Sequence, residues 1–132
     1  MNATKQKPWK LTTPPGTSKF EAYVEGEELV VQVGKTQLRY QARAIEDLYA
    51  MLAKHGDWML LGSADEQKPA ADDTVEAWGR SAKNPVKGWY GIKKGLRGRF
   101  GMYVPPVLEA LGLAEVEHNP KANRMRATAK KK

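Results

Sequence analysis

The chain of 132 residues contains no cysteine and only two histidines. The first absence removes disulfides, thiolate metal sites and cysteine nucleophiles together, and it fits a reducing compartment. The second leaves little imidazole chemistry. His55 falls at the end of a predicted helix, where an imidazole meets the C-terminal dipole, and His118 flanks a predicted turn. No apolar run approaches membrane length, and "MNATKQKPWK" lacks the apolar centre of a secretion signal. The expected setting is therefore soluble and cytoplasmic, with no membrane partner.

Nucleotide loops are missing as well. The spacing G-x-G-x-x-G does not occur, and "GKT" at residues 34–36 has Leu29 where the Walker A glycine belongs, so it reads as a hairpin turn. The adjacent carboxylates Asp65 with Glu66 and Asp72 with Asp73 read as solvated caps in a polar loop, and no metal-ligand spacing appears. Nothing in the residues argues for an enzyme, and no cofactor or metal is expected.

What the chain does have is charge, unevenly placed. Its net +7 divides into −3 over residues 1–79 (nine Lys/Arg, twelve Asp/Glu) and +10 over residues 80–132 (thirteen against three). Without the three terminal lysines the second half still stands at +7. A one-sided field of this size favours a polyanion as partner.

The apolar pattern predicts an α+β fold. Residues 1–19, with Pro14, Pro15 and Gly16, read as a flexible arm that Trp9 could pin to the body. From Phe20 the alternation predicts a three-stranded antiparallel meander. Ile45, Leu48, Tyr49 and Leu52 then predict an amphipathic helix stopped by Gly56. "DWMLLG" reads as a strand or buried turn. Asp73 and Glu76 form a capping-box pattern ahead of a short helix that buries Val75 and Trp78. The domain reading is an arm over 1–19, an acidic half over 20–79, a basic half over 80–128 and a basic tail over 129–132.

The stretch "GWYGIKKGLRGRFGMY" (88–103) holds five glycines, four basic residues and four aromatics. At helical spacing Trp89, Ile92, Leu96, Phe100 and Tyr103 share one arc of about 80°, while Lys93, Lys94 and Arg97 lie opposite and Arg99 falls beside the apolar arc. This predicts a helix broken near Gly98, in preference to an irregular basic loop. Each interior glycine weakens it by about 1 kcal/mol relative to alanine. Tyr90 falls on the basic side and is the aromatic expected to be exposed for base stacking.

Beyond it, Pro105 and Pro106 open a predicted helix buried through Val107, Leu108 and Leu111 and stopped by Gly112. "LAEVEH" and "RMRATA" read as strands around the turn "NPKAN". The run "LEALGLAEVEHNPKANRMRA" (108–127) resembles the recognition helix and wing of the winged-helix DNA-binding family. That resemblance implies Lys121, Arg124 and Arg126 on phosphates, and duplex DNA rather than RNA. Through "GSADEQKP", "VEAW" and "KKGLRGRFG" the whole chain is similar to a family of small uncharacterised bacterial proteins, which implies no function.

The expectation is a non-catalytic nucleic-acid-binding protein. Lys93, Lys94, Arg97 and Arg99 would contact backbone phosphates, with Lys121, Arg124 and Arg126 joining from the wing. The alternative is a protein–protein interaction module whose basic charge is incidental.

Overall fold

The computed structural model describes residues 3–128, so the basic tail read at 129–132 lies outside the described residues. Strands β1 (Trp9–Thr12), β2 (Lys19–Glu25), β3 (Glu28–Val33) and β4 (Thr36–Gln41) form an antiparallel sheet in that order. Period-two alternation sends Phe20, Ala22, Leu29, Val31, Leu38 and Tyr40 to one buried face, and Ala22, Val31 and Leu38 align across three strands. The meander thus has four strands rather than three, because the segment read as an arm supplies β1, with Leu11 opposite Phe20. Ala3 packs with Tyr23 and Val30 on the outer face, and its carbonyl accepts from the Val24 amide at 3.0 Å.

Helix α1 (Ala44–His55) buries Ile45, Leu48 and Leu52 of the predicted face together with Ala44, while Tyr49 is half-buried. Gly56 ends it in the left-handed region (φ 76), its amide donating to the Leu52 carbonyl at 2.9 Å. Then follow β5 (Met59–Leu60), α2 (Val75–Trp78), α3 (Phe100–Tyr103), α4 (Pro105–Ala110), β6 (Ala114–Val116) and β7 (Arg124–Ala127). The second sheet has the order β5-β7-β6, so a strand of the acidic half pairs with a strand of the basic half. One apolar core, from Phe20 to Met125, runs across the boundary drawn at residue 79.

Three expectations are corrected. At α2 the N-cap is Thr74, whose hydroxyl accepts from the Ala77 amide at 3.1 Å. Glu76 turns inward instead of closing a capping box.

Residues 88–99 form no helix, and the destinations of their backbone groups explain why. The Tyr90 amide goes to the Gly79 carbonyl and the Ile92 amide to Arg39, while the Tyr90 carbonyl accepts from Gln41, so residues 90–92 lie along the free edge of β4. The Gly95 and Arg97 amides go to the Glu66 carboxylate, at 2.9 and 2.8 Å. Donors committed to the sheet edge and to a carboxylate leave no helical ladder. Helix forms only at Phe100–Tyr103, where Phe100 and Tyr103 face the core as the seam predicts. Ile92, 43% exposed, and Trp89, which lies under the Arg80 and Arg97 guanidiniums instead of against the core, are the seam's exceptions.

The winged-helix likeness fails at its helix. α4 is six residues long, about 9 Å, and buries Pro105, Pro106, Val107 and Leu108, which leaves no face to enter a groove. The hairpin itself forms, with Glu115 opposite Arg126 and Val116 opposite Met125. His118 ties its turn to the N-terminal segment, contacting the Glu109 carboxylate at 2.6 Å and the Pro14 carbonyl at 3.1 Å. Both partners are acceptors, which suits the doubly protonated ring, and the Glu109 bond raises the His118 pKa above its ordinary value.

Candidate nucleic-acid interface

The glycine-rich stretch is gripped by the acidic loop, residues 62–69. Glu66 accepts from the amides of Gly95 and Arg97 and from the Arg97 guanidinium at 2.8 Å. Asp65 accepts from Arg99 Nε, and the Arg99 amide donates to the Ala64 carbonyl at 2.7 Å. Between these contacts lies Gly98. A Cβ there would sit 2.5 Å from the Asp65 carbonyl carbon and 2.8 Å from the Ala64 oxygen, so only glycine lets the two backbones meet. The Gly98 carbonyl in turn accepts from the buried Tyr40 hydroxyl at 2.7 Å.

Inside this clasp Glu76 is fully buried. It accepts from Arg80 at 2.6 Å and from the Gly101 amide at 2.7 Å, while Arg80 also donates to the Lys68 and Ala64 carbonyls at 2.8 and 3.0 Å. Burial pushes the Glu76 carboxyl up, and the Gly101 amide and Arg80 oppose that. The three stretches that carry the family resemblance therefore meet in space: "GSADEQKP" closes over "KKGLRGRFG", and "VEAW" supplies Glu76 beneath.

Acid should open this clasp. The Arg97 guanidinium, then the Arg97 and Gly95 amides, lower the Glu66 pKa from its ordinary 4.5 to about 2. A depressed carboxylate stabilises the fold fully above its unfolded value and loses that contribution as pH falls through the folded value. Glu66→Gln should therefore flatten the stability change between about pH 4.5 and 2 in an acid titration followed by tryptophan fluorescence. An unchanged profile would mean that Glu66 does not hold the loop.

The cations on the same segment divide into two groups. From Ala77 to Leu108 the chain carries seven Lys/Arg and no carboxylate. Arg80, Arg97 and Arg99 are paired with Glu76, Glu66 and Asp65. Lys83, Lys87, Lys93 and Lys94 are exposed, and among the described residues none of them makes an ion pair. The loops that bear them are rooted on one indole: the Arg80 and Arg97 guanidinium carbons lie 4.4 and 4.7 Å from the Trp89 ring centre. Asn84 shapes the first loop by donating to the Trp78 and Gly88 carbonyls and accepting from the Val86 amide at 3.0 Å. A 2.8 Å bond from the Leu96 amide to the Lys93 carbonyl closes the second.

The expected site residues fare differently. Lys93 and Lys94 stand exposed as read, and Lys121 is exposed on the hairpin turn. Arg97 and Arg99 are held by carboxylates rather than free. Arg124 and Arg126 are paired with Glu117 and Glu115, at 2.6 and 2.9 Å, and both lie over the Trp58 ring. Tyr90 is the clearest correction: it is fully buried, packed against both Trp78 and Phe100 in a three-ring cluster, with its hydroxyl donating to Asp47 at 2.8 Å. Burial, with that bond, pushes its phenol up. The helical angle put it outside, but the segment forms no helix there. Lys83 and Lys87 were missed, and the run without carboxylates is the signal that would have found them.

The fold and clasp together define a small α+β protein with a lysine-bearing loop held on a neutralised base. Among the described residues no helix is long and apolar enough to cross a membrane, and no cluster of three metal-ligating side chains occurs. The chain belongs to a family of unknown function (DUF6855), which it matches over residues 1–128. No curated protein and no solved structure gave a significant match.

Proposed function

We propose that the protein binds nucleic acid through backbone phosphates, without catalysis, and that Lys83, Lys87, Lys93 and Lys94 make the contact. The observation that carries this is the division of cations just described: four lysines without carboxylate partners on a segment free of acidic residues. An ammonium with no competing carboxylate condenses onto phosphate and releases counterions, whereas an arginine already in an ion pair gains little by exchanging partners. The arginines of the clasp act as positioning residues that hold the loop in shape. A duplex preference drawn from a wing has no recognition helix to rest on, so the proposal is for nucleic acid in general.

The test compares two double variants in a salt titration of binding to a fluorescent single-stranded oligonucleotide. Lys93→Ala with Lys94→Ala should reduce the slope of log affinity against log salt by about 1.4, while Arg124→Ala with Arg126→Ala should leave it unchanged. Equal losses from both pairs would contradict the assignment.

A second reading, a protein-docking module, is favoured by one feature elsewhere. Leu60, 46% exposed, lies in an apolar cleft of about 560 Å³ with Pro15, Met102 and Pro120. Binding that is insensitive to salt and lost on Leu60→Asp would favour it.

A further inference from the structure

Beside the clasp lies a cavity of about 380 Å³, within the range of small-ligand sites. Leu38, Leu96 and Tyr103 form its apolar wall, and Asp65, Gln67 and Arg99 its polar one. We propose that one unpaired nucleobase of a bound strand enters this cavity, an inference that rests on the phosphate-binding reading above.

Three observations choose a base over other occupants. A free anion is disfavoured, because the one guanidinium lining the cavity, that of Arg99, is already matched by Asp65, and the Asp65 and Glu66 carboxylates on its wall would repel it. A purely apolar ligand would strip water from Asp65, Gln67 and Arg99 without replacing their hydrogen bonds. A nucleobase satisfies both walls: its faces are apolar and aromatic, and its edge alternates donors and acceptors, as a carboxylate, an amide and a guanidinium do.

The rim places the base within reach of the phosphate contacts. Gly95 and Leu96 line the cavity, and the tight turn from Lys93 to Leu96 makes the two lysines the residues that directly precede that wall. Arg99 also sits in the left-handed region (φ 61). For a non-glycine residue this is strained, and such strain concentrates at ligand clamps. A base that must enter from an unpaired position makes single-stranded nucleic acid the ligand.

The test uses fluorescence anisotropy with oligodeoxythymidylate and an abasic strand of equal length and charge. The intact protein should bind the base-bearing strand about fivefold or more tightly than the abasic one. Thr36→Leu with Gln67→Leu, at two exposed positions lining the cavity, should remove that difference while leaving the salt slope unchanged. The single variant Gln67→Ala, which adds no bulk, should reduce the difference in part. Equal binding of both strands by the intact protein would overturn the base site and leave the phosphate reading standing. A preference that survives the double variant would overturn it too, by placing the base elsewhere. Failure to bind either strand at low salt would remove the phosphate reading itself.

Discussion

Glu76→Ala should lower the stability of the fold by about 3–5 kcal/mol, as much as truncating a large side chain of the core. Glu76 is fully buried and the Arg80 side chain is 13% exposed, so truncation would leave a largely desolvated guanidinium with only carbonyls to accept from it. It would also orphan the Gly101 amide. A buried charge without its partner costs far more than the pair contributed, because the attraction had offset the desolvation. In thermal denaturation the midpoint should fall by about 10 °C or more. Glu76→Gln, which keeps an acceptor for the amide but not the charge, should fall between Glu76→Ala and the unaltered protein. A loss below about 1 kcal/mol for the alanine variant would mean that the clasp has no inner anchor.

Gly98→Ala should cost about 2–3 kcal/mol, although it adds one methyl group. Its φ lies outside the left-handed region, so the penalty is contact alone. Most overpacked side chains shift aside, but here the obstacle is the backbone of residues 64–66, pinned by Arg80, Arg97 and Arg99. Relief requires the acidic loop to move away, which loosens the Glu66 and Asp65 bonds at the same time. The expected signature is lower stability with faster exchange of the Gly95 and Arg97 amides. If those amides stay protected, the close approach at Gly98 does not hold the clasp.

The parts of the fold that local periodicity governs were legible. Phe20, Ala22, Leu29 and Val31 announce a meander by alternation, Leu48 and Leu52 a helix by their spacing, and Gly56 its end. The hairpin at β6 and β7 was legible for the same reason. What escaped was long-range. Asp65 and Glu66 looked like solvated caps because their partners, Arg99 and Arg97, stand more than thirty residues away, and no local pattern reports such a pairing.

The helix assigned to residues 88–103 shows how one wrong period propagates. With a helical angle Tyr90 faced outward and Ile92 inward. The structure shows the reverse, Tyr90 buried and Ile92 43% exposed, and the Tyr40 to Gly91 pairing at the sheet edge, not a helical turn, sets the segment. The glycines were the sign that was visible in advance. Gly98 permits close backbone approach to the acidic loop, which a nucleotide cradle would not require. Of the expected phosphate contacts, charge sign was readable but availability was not, since that depends on which carboxylate lies across the fold.

The most direct test is the salt dependence of binding to a single-stranded oligonucleotide by the unaltered protein. Four lysines on phosphates predict a slope of about −3 in log affinity against log salt. No binding at low salt, or binding with a slope near zero, would contradict the account.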